Sequence, residues 1–195
     1  ETGAFVIPLL NRLDGQKRGP QALVLCPTRE LAIQTQEEFR KLSLGQRGLK
    51  SVALYGGGGM RKQMEILERN NPRIVVGTPG RVRDLVDRKK LDLSGVEYFV
   101  LDEADRMLDM GFVDEVRWLR DQMPRILQTL CFSATMPQEL FKLLHQHLGE
   151  ETIETIKIAP KQIVVDKINH NFLRVERRNK MSVLQDCSRG TRGRK

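Results

Sequence analysis

Three of the four residues Asp102-Glu103-Ala104-Asp105 are carboxylates, and they directly follow the apolar run Val96–Leu101. A carboxylate at the carboxyl end of a buried strand can hold Mg2+, usually through water, and its neighbour can orient or deprotonate a water that attacks a phosphoryl group. Asp102 suits the metal and Glu103 suits the water. The alternative is that these acids only cap the next helix, where negative charge complements the helix dipole. That alternative is the commoner one for acids after a strand, so the catalytic interpretation needs support from other motifs.

Two further turns, Pro27–Arg29 and Thr78–Arg81, each combine a small hydroxyl residue with an arginine after an apolar run. Each opens a predicted helix, where free backbone N–H groups and the dipole favour a phosphate. Two such turns at one edge of a sheet could grip successive phosphates of a strand, and such contacts carry little base information. Taken singly, each turn is slightly better explained by Thr28 or Thr78 acting as a helix cap.

Glycines and hydroxyl residues follow two more apolar runs. The four glycines Gly56–Gly59 lack side chains and so allow another backbone to approach closely. Ser133 and Thr135 could hydrogen-bond the Asp102–Asp105 carboxylates on a neighbouring strand and tie the metal site to the rest of the sheet. The alternative is a helix cap with Pro137 as the first helical residue.

The elements that must position these motifs alternate along the chain. Strands that are apolar throughout, separated by amphipathic helices, predict a doubly wound α/β fold with a mainly parallel sheet and helices on both faces. In such sheets ligands bind beyond the carboxyl ends of the strands. The predicted strands are Ala22–Cys26, Leu49–Tyr55, Arg73–Gly77, Val96–Leu101, Gln128–Phe132 and Thr152–Ile158. The predicted helices are Arg29–Leu42, Met60–Glu68, Arg81–Arg88, Val113–Met123 and Pro137–Leu148.

Both ends of the chain depart from this alternation. Glu1–Leu13 has a helical pattern with no strand before it, so we expect a first strand to be missing upstream. After Pro160 the chain turns polar, with one more strand-like run at Ile168–Val175. The last residues, Ser188–Lys195, are too rich in glycine and arginine to pack, and we expect them to be disordered.

Length and composition exclude several classes of protein. The 195 residues suit one domain, and 39% hydrophobic with 30% charged residues is typical of a folded chain rather than a disordered one. No apolar stretch approaches the ~20 residues of a membrane-spanning helix. The cysteines are three in number and widely separated, and none combines with a histidine at metal-ligand spacing. They predict small core residues in a reducing compartment rather than disulfides or a zinc site.

The net charge of +8 suggests a polyanionic partner, but its distribution weakens that argument. Eight basic and two acidic residues lie in Arg174–Lys195, which therefore carries +6 and leaves +2 over Glu1–Leu173. The prediction of nucleic-acid binding thus depends on a few placed residues rather than on overall charge.

In this order, the five motifs resemble those of the first RecA-like domain of DEAD-box RNA helicases. Asp102–Phe112 reads DEADRMLDMGF and Phe132–Pro137 reads FSATMP, and both are similar to the family almost letter for letter. The resemblance covers about Thr2–Ile168. It implies a RecA-like fold of the P-loop NTPase type and an ATP-dependent motor that binds single-stranded RNA by its backbone and opens short duplexes locally.

The resemblance also implies roles for individual residues. Asp102 and Glu103 would serve Mg2+, largely through water, while Ser133 and Thr135 would couple the state of ATP to RNA. The implied catalytic residues are Asp102, Glu103, Asp105, Ser133 and Thr135. The implied ATP-binding residues are Thr2, Asp102 and Glu103. The implied RNA-binding residues are Pro27, Thr28, Arg29, Gly57, Thr78, Pro79, Gly80 and Arg81.

One part of the family pattern is not matched. Family members carry a phosphate-binding loop that ends in Gly-Lys-Thr just before a Gly/Ala-Ala-Phe run; Thr2–Phe5 continues that pattern, but Glu1 stands at the lysine position. We therefore expect residues 1–160 to be an N-terminally truncated first domain. Residues 161–187 are expected to be a linker and the start of a second RecA-like domain, and 188–195 a basic tail.

Without the glycine-rich cradle and its lysine, the main grip on the ATP phosphates is lost, so we expect weak or no ATPase activity from the isolated chain. The expected partners are RNA and a second RecA-like domain normally in the same chain, in an intracellular protein of the cytoplasm or nucleus with no membrane contact. The alternative is a non-catalytic module, derived from a helicase lobe, that keeps RNA-backbone or protein contacts. A phosphoryl-transfer ATPase outside the helicases would require the five motifs to be coincidental.

Overall fold

Five parallel strands form a single sheet whose spatial order differs from their order in the sequence. In the computed structural model, which describes residues 2–148, 153–158 and 173–190, the order across the sheet is β2-β3-β1-β4-β5. The strands are β1 Ala22–Leu25, β2 Ser51–Leu54, β3 Ile74–Gly77, β4 Tyr98–Leu101 and β5 Gln128–Cys131. In the centre, Ala22 of β1 lies opposite Ile74 of β3 and Tyr98 of β4. Because the strands are parallel, their carboxyl ends all lie at one edge.

Helices cover both faces of the sheet, which confirms the predicted doubly wound α/β class. The helices are α1 Thr2–Arg12, α2 Arg29–Leu42, α3 Met60–Asn70, α4 Pro79–Asp87, α5 Ala104–Asp109, α6 Val113–Asp121 and α7 Gln138–Leu148. Along β1, Ala22 and Val24 face a core that includes Phe5 of α1 and Phe39 of α2. The alternate residues of β1 face a second core formed with α3, α4, α6 and α7. Because both faces are buried, the central strands must be apolar at every position, as their sequences are.

Two predicted features differ from the structure. Helix α5, Ala104–Asp109, is absent from the predicted set because its six residues are too few to show helical periodicity. The predicted strand Thr152–Ile158 is wrong over the described residues 153–158, which contain no strand. Its β-branched isoleucines and threonines are typical of a strand, but no described strand pairs with it, and Ile156 and Ile158 are 80% and 89% exposed.

Residue contacts divide the chain into two units, Glu1–Ile153 and Glu154–Lys195. In the second unit a 3-10 turn precedes helix α8, Lys180–Gly190. The described part of the strand-like run Ile168–Val175, residues 173–175, contains no strand, and the rest lies outside the described residues. Helix α8 includes Ser188–Gly190, which differs from the disorder predicted there, and residues 191–195 lie outside the described part. Within the described residues, no helix is long and apolar enough to cross a membrane.

Candidate functional site

All five motifs meet at the carboxyl edge of the sheet. Pro27–Arg29 follows β1, Gly56–Gly59 follows β2, Thr78–Arg81 follows β3, Asp102–Asp105 follows β4, and Ser133–Thr135 follows β5. Because of the strand order, the arginine and glycine motifs after β1, β2 and β3 lie side by side, and we call them the basic half of the edge. The acid and hydroxyl motifs after β4 and β5 form the acidic half.

Asp102 and Glu103 have different surroundings although they are neighbours in the sequence. Asp102 is only 4% exposed, and its backbone N–H donates to the carbonyl of Leu25 at the end of β1 (3.0 Å). Glu103 is exposed, and its backbone has φ 51° and ψ 53°, in the left-handed region. That conformation costs a residue with a side chain about 1–2 kcal/mol. The sharp turn into α5 thus holds one carboxylate in the protein and presents the next to solvent.

Asp105 joins the end of β4 to the end of β5. Its Oδ2 accepts hydrogen bonds from the backbone N–H of Thr135 (2.9 Å) and from the Thr135 hydroxyl (2.8 Å). Its own backbone N–H donates to Oγ of Ser133 (3.2 Å), and the Ser133 hydroxyl donates to the carbonyl of Thr135. The predicted bonding between the hydroxyl motif and the acid motif is confirmed, and Asp105 is the acid that makes it.

The same hydrogen bonds set the charge state of Asp105. Partial burial acts to raise the pKa of its carboxyl group. The hydrogen bonds from Thr135, together with one from the backbone N–H of Arg106 (3.0 Å), outweigh burial and hold that pKa below its ordinary value. Asp105 is therefore ionised at neutral pH, and its acceptor oxygens keep the loops after β4 and β5 together.

In the basic half, the first turn is fixed by a cap and by a cation–π contact. Oγ1 of Thr28 accepts from the N–H of Leu31 (3.2 Å), so Thr28 is a helix cap, as the alternative interpretation predicted. The guanidinium of Arg29 lies 4.7 Å from the ring centroid of Tyr55, the residue after β2. This contact links the turn after β1 to the end of β2, on the far side of β3.

The second turn of the basic half is tied to the glycine run. Both terminal nitrogens of the Arg81 guanidinium donate to the carbonyl of Gly58, at 3.3 and 3.2 Å. Thr78 stands at the N-cap of α4 but makes no side-chain capping hydrogen bond, unlike Thr28. Gly57 has φ 75°, which favours glycine, and a Cβ added at Gly57 or Gly80 would meet no atom within 4 Å. The backbone there borders open space.

Helix α1 begins near the acidic half. The ring of Phe5, in its first turns, lies 5.2 Å from the ring of Phe132, which directly precedes Ser133. Thr2, the first residue of α1 and half-buried, is therefore at the same edge of the sheet as the acid motif. This is the end of the helix at which unpaired backbone N–H groups favour an anion.

The cysteines at this edge are not reactive thiols. Burial raises the pKa of Cys26 far above its usual range, with Asp102 acting in the same direction, and burial followed by Asp105 raises the pKa of Cys131 to about 12. Both therefore stay protonated at neutral pH. Cys187 is exposed, so the predicted core position is wrong for that residue.

The side chains present fit Mg2+ held together with a phosphate ligand. In the described part of the chain, no three His, Cys, Asp or Glu residues are grouped closely enough to hold a metal ion by themselves. Mg2+ is ordinarily bound by one or two carboxylates, with water and substrate phosphates completing its shell. Asp102 and Glu103 supply two such hard oxygen donors at the strand end.

Sequence reasoning placed every motif at this edge but missed the contacts within the basic half. Tyr55 and Gly58 were not candidate residues, although they position Arg29 and Arg81. The only signal was an aromatic residue directly before a glycine run. Contacts between residues far apart in sequence depend on the strand order, which the sequence pattern did not specify.

Comparison with known proteins gives consistent matches. The sequence model of the DEAD/DEAH box helicase family matches residues 2–143. The ATP-dependent RNA helicase CshA of Listeria monocytogenes is 41% identical over 184 residues, which is 94% of this chain and 35% of the relative. The RNA helicase CrhR of Synechocystis is 48% identical over 157 residues, 80% of this chain and 31% of the relative. The chain thus spans about a third of the length of these curated relatives.

Solved structures give the same result for the fold. A DEAD box protein from the hyperthermophile Methanococcus jannaschii matches with a TM-score of 0.71 and 42% identity, covering 76% of this chain and 40% of that one. A hypothetical ATP-dependent RNA helicase from Sulfolobus tokodaii matches with a TM-score of 0.69 and 35% identity, covering 76% and 42%. The RecA-like type of the sheet is therefore confirmed.

Proposed function

The chain belongs to the DEAD/DEAH box helicase family, and we propose that it acts as the N-terminal lobe of a helicase that couples ATP binding and hydrolysis to sequence-independent RNA binding and local duplex unwinding. The observation that carries this proposal is the pair of hydrogen bonds from Thr135 to Asp105. They join the acid motif to the hydroxyl motif at the edge that also gathers both arginine turns. A change at the acid motif can therefore reach the loop after the neighbouring strand through a direct bond.

The acidic half is assigned to the nucleotide. The buried carboxylate of Asp102 would hold Mg2+ through water, and the exposed Glu103 would orient the attacking water. The metal would supply positive charge for the nucleotide phosphates. Thr2, at the first turn of α1, would lie beside those phosphates, with the backbone N–H groups of the helix end nearby.

The basic half is assigned to the RNA backbone. Arg29 and Arg81 are held by Tyr55 and by the Gly58 carbonyl, beside the amino-terminal turns of α2 and α4, where phosphates are favoured. The open space beside Gly57 and Gly80 lets a sugar-phosphate chain come close to the protein backbone. Pro27, Thr28, Thr78 and Pro79 complete the proposed surface. Contacts of this kind position a strand without reading its bases.

RNA binding by the 195-residue chain tests the basic half. A fluorescent decauridine is titrated with the chain over a series of salt concentrations. Replacing Arg29 and Arg81 together by alanine is expected to weaken binding by roughly tenfold or more. It should also reduce the salt slope by about 1.4, because two phosphate contacts to a single strand are lost at ~0.7 each. The matched control removes two arginines elsewhere on the chain, Arg69→Ala with Arg88→Ala. Equal losses in both double variants would show general charge attraction and would contradict the assignment.

Nucleotide coupling tests the acidic half and separates the helicase lobe from a non-catalytic binding module. If the proposal holds, Mg·ATP changes the affinity of the chain for decauridine, and Asp102→Asn removes that change while leaving RNA binding without ATP intact. RNA binding that ignores Mg·ATP would favour the non-catalytic module. Weak or absent ATPase activity of the isolated chain stays a prediction, and RNA-stimulated phosphate release by it would contradict that prediction.

The remaining parts of the proposal follow from family membership. A second RecA-like domain is the proposed partner in the same protein, with the linker and its start at residues 161–187 and a basic tail at 188–195. We place the first domain at residues 1–160. An intracellular location, in the cytoplasm or nucleus, belongs to the same proposal, and fractionation of cells that express the protein tests it.

A further inference from the structure

A groove runs along the outer edge of β2 and reaches the carboxyl edge at Gly58 and Gly59, which form part of its lining. Strand β2 is the last strand on its side of the sheet, and helices α2 and α3 flank it. The groove encloses about 430 Å³, with Ile33 of α2 on one wall and Ile66 of α3 on the other. The other helix side chains of the lining are polar or cationic, and the segment between the helices contributes a mixed set of residues. The helix residues are Gln36, Arg40, Lys62, Gln63 and Asn70, and the segment residues are Ser51, Val52, Ala53, Tyr55, Gly58 and Gly59.

The backbone of β2 presents alternate residues to this groove. Lys50 and Leu54 direct their carbonyls to β3, where they accept from Ile74 and Thr78. In a parallel pair the N–H and C=O of one residue point to the same neighbour, so Ser51, Ala53 and Tyr55 direct theirs outward. The outward groups are the ones that an added strand would use.

Two glutamine side chains already bind outward-pointing backbone groups of β2, one at the Tyr55 end and one at the Ser51 end. Oε1 of Gln63 accepts from the Tyr55 N–H (3.2 Å) while its Nε2 donates to the Tyr55 carbonyl (3.1 Å), which is how a neighbouring strand would pair. Nε2 of Gln36 donates to the hydroxyl (3.1 Å) and the carbonyl (3.4 Å) of Ser51. Between them, Ala53 receives no hydrogen bond from the groove side in the described part of the chain. The edge is therefore closed at its ends and open in the middle.

The two cations nearest this opening are Arg40 and Lys62. Arg40 also pairs with Glu37 on its own helix (3.0 Å), but an exposed pair of this kind contributes little, so its guanidinium is available to a further carboxylate. Arg40 lies one helical turn beyond Gln36, so it stands at the Ser51 end, whereas Lys62 adjoins Gln63 and stands at the Tyr55 end. Among the described residues that line the groove, none is acidic. Ser51 and Tyr55 lie about 13 Å apart along the strand, at ~3.3 Å per residue, and a cation near each of these ends favours an occupant with a carboxylate toward each end. The basic C-terminal stretch of this chain has the wrong charge for this place.

We propose that this groove docks an extended acidic segment of a partner protein, which adds a short strand to β2. The segment donates and accepts one pair of backbone hydrogen bonds at Ala53, and successive side chains point alternately to Ile33 and Ile66 because an extended chain has a period of two. Its terminal Asp or Glu side chains pair with Arg40 and Lys62. A helix is too wide to reach the Ala53 backbone between two flanking helices. The inference depends only on the fold and is independent of the proposed helicase function.

A displayed library of random octapeptides, selected on the 195-residue chain, tests this proposal. Sequences with β-branched or aromatic residues between two acids are expected to be enriched. A synthetic fluorescent copy of the most enriched peptide is then titrated in anisotropy measurements. Binding is expected to weaken by roughly tenfold when Arg40→Glu and Lys62→Glu are combined, and methylation of the one peptide nitrogen that donates to Ala53 should weaken it similarly.

The matched control reverses the charge of the neighbouring residue on each helix, with Lys41→Glu and Arg61→Glu. Neither Lys41 nor Arg61 lines the groove. It should bind the peptide within about twofold of the unchanged chain, since rim charges away from a site have small effects. Ala53→Pro removes the backbone N–H of Ala53, which points outward from the edge strand β2. Because an added strand would use that N–H and β3 does not, this variant affects only the added strand. Melting curves establish that each variant is folded.

Four outcomes would overturn the proposal: no enrichment over the empty support, equal weakening by both charge-reversed pairs, displacement of the peptide by decauridine, or displacement by a peptide of residues 173–190. The third would assign the groove to RNA, and the fourth would assign it to the second unit of this chain.

Discussion

The acidic and basic halves of the carboxyl edge are held in place by different kinds of contact. In the acidic half, Asp105 and Thr135 bond directly, and Asp102 is buried. In the basic half, Arg29 and Arg81 reach across to a ring and to a carbonyl, and Gly57 and Gly80 border open space. Positioning a metal and a water requires fixed carboxylates, whereas binding RNA of any sequence requires an accessible surface with charge. The contrast in contacts therefore matches the contrast in proposed task.

The largest expected effect comes from breaking the bond between the two strands of the acidic half. Asp105→Ala removes a charged acceptor from the N–H and hydroxyl of Thr135 and should lower the free energy of unfolding by about 2 kcal/mol, within the range for hydrogen bonds to charged groups. Urea unfolding of the chain measures it. Asp109→Ala, at the exposed end of the same helix, is the control and should change stability by less than about 0.5 kcal/mol. Equal effects of both substitutions would mean that the acidic half is no more tightly held than ordinary surface.

Unfolding free energies measured over a series of pH values distinguish the two halves, because a carboxylate takes up a proton at low pH and a guanidinium group is already protonated. The pKa of Asp105 is lowered in the folded protein from its ordinary value of 3.8, so its contribution to stability is complete above that value and is lost as the pH falls through the lower folded pKa. The difference in unfolding free energy between the unchanged chain and Asp105→Asn should thus shrink, relative to its size at neutral pH, as the pH falls below 3.8 and through the lower folded pKa. The corresponding difference for Arg81→Ala should stay constant over this range, because a guanidinium group keeps its proton. A difference for Asp105→Asn that does not shrink would contradict the assigned charge.

A smaller loss in the free energy of unfolding is expected in the basic half. Arg81→Ala removes two hydrogen bonds to Gly58 and should cost about 1 kcal/mol or less, since both bonds, at 3.3 and 3.2 Å, are longer than the usual distance of about 2.9–3.0 Å and share one neutral acceptor. Amide hydrogen exchange at Gly56–Gly59 should become faster, while exchange at Thr135 should not change. Arg88→Ala, at the other end of α4, is the matched control. If Arg81→Ala proved as costly as Asp105→Ala, the two halves would not differ in rigidity.

The same contrast explains what the sequence could and could not predict. The acidic half was predictable because DEAD and SAT stand directly after two apolar runs, and the strands themselves are apolar at nearly every position. The contacts of Arg29 and Arg81 were not, because they cross between strands whose spatial order no local pattern specifies. The prediction of a strand at Thr152–Ile158, which is wrong over residues 153–158, has the same origin. A β-branched composition shows that a segment could pair, but pairing requires a neighbouring strand. Helix α5 was missed because six residues hold less than two turns.

The smallest expected effect concerns a backbone conformation that both halves share. Gly57 in the basic half and Glu103 in the acidic half have φ values of 75° and 51°, which favour glycine. Glu103→Gly should be more stable than Glu103→Ala by about 0.5 kcal/mol, since relief of the left-handed strain is partly offset by the greater freedom of glycine in the unfolded chain. Gly57→Ala should lose a similar amount. Paired urea titrations measure these differences, and a Glu103→Gly chain no more stable than Glu103→Ala would show that the turn carries no strain. If Glu103→Gly is the more stable of the two variants, the backbone at this position is strained for any residue with a side chain. Glutamate is then held there at the expense of stability, which is the result expected of a residue whose carboxylate is used in catalysis.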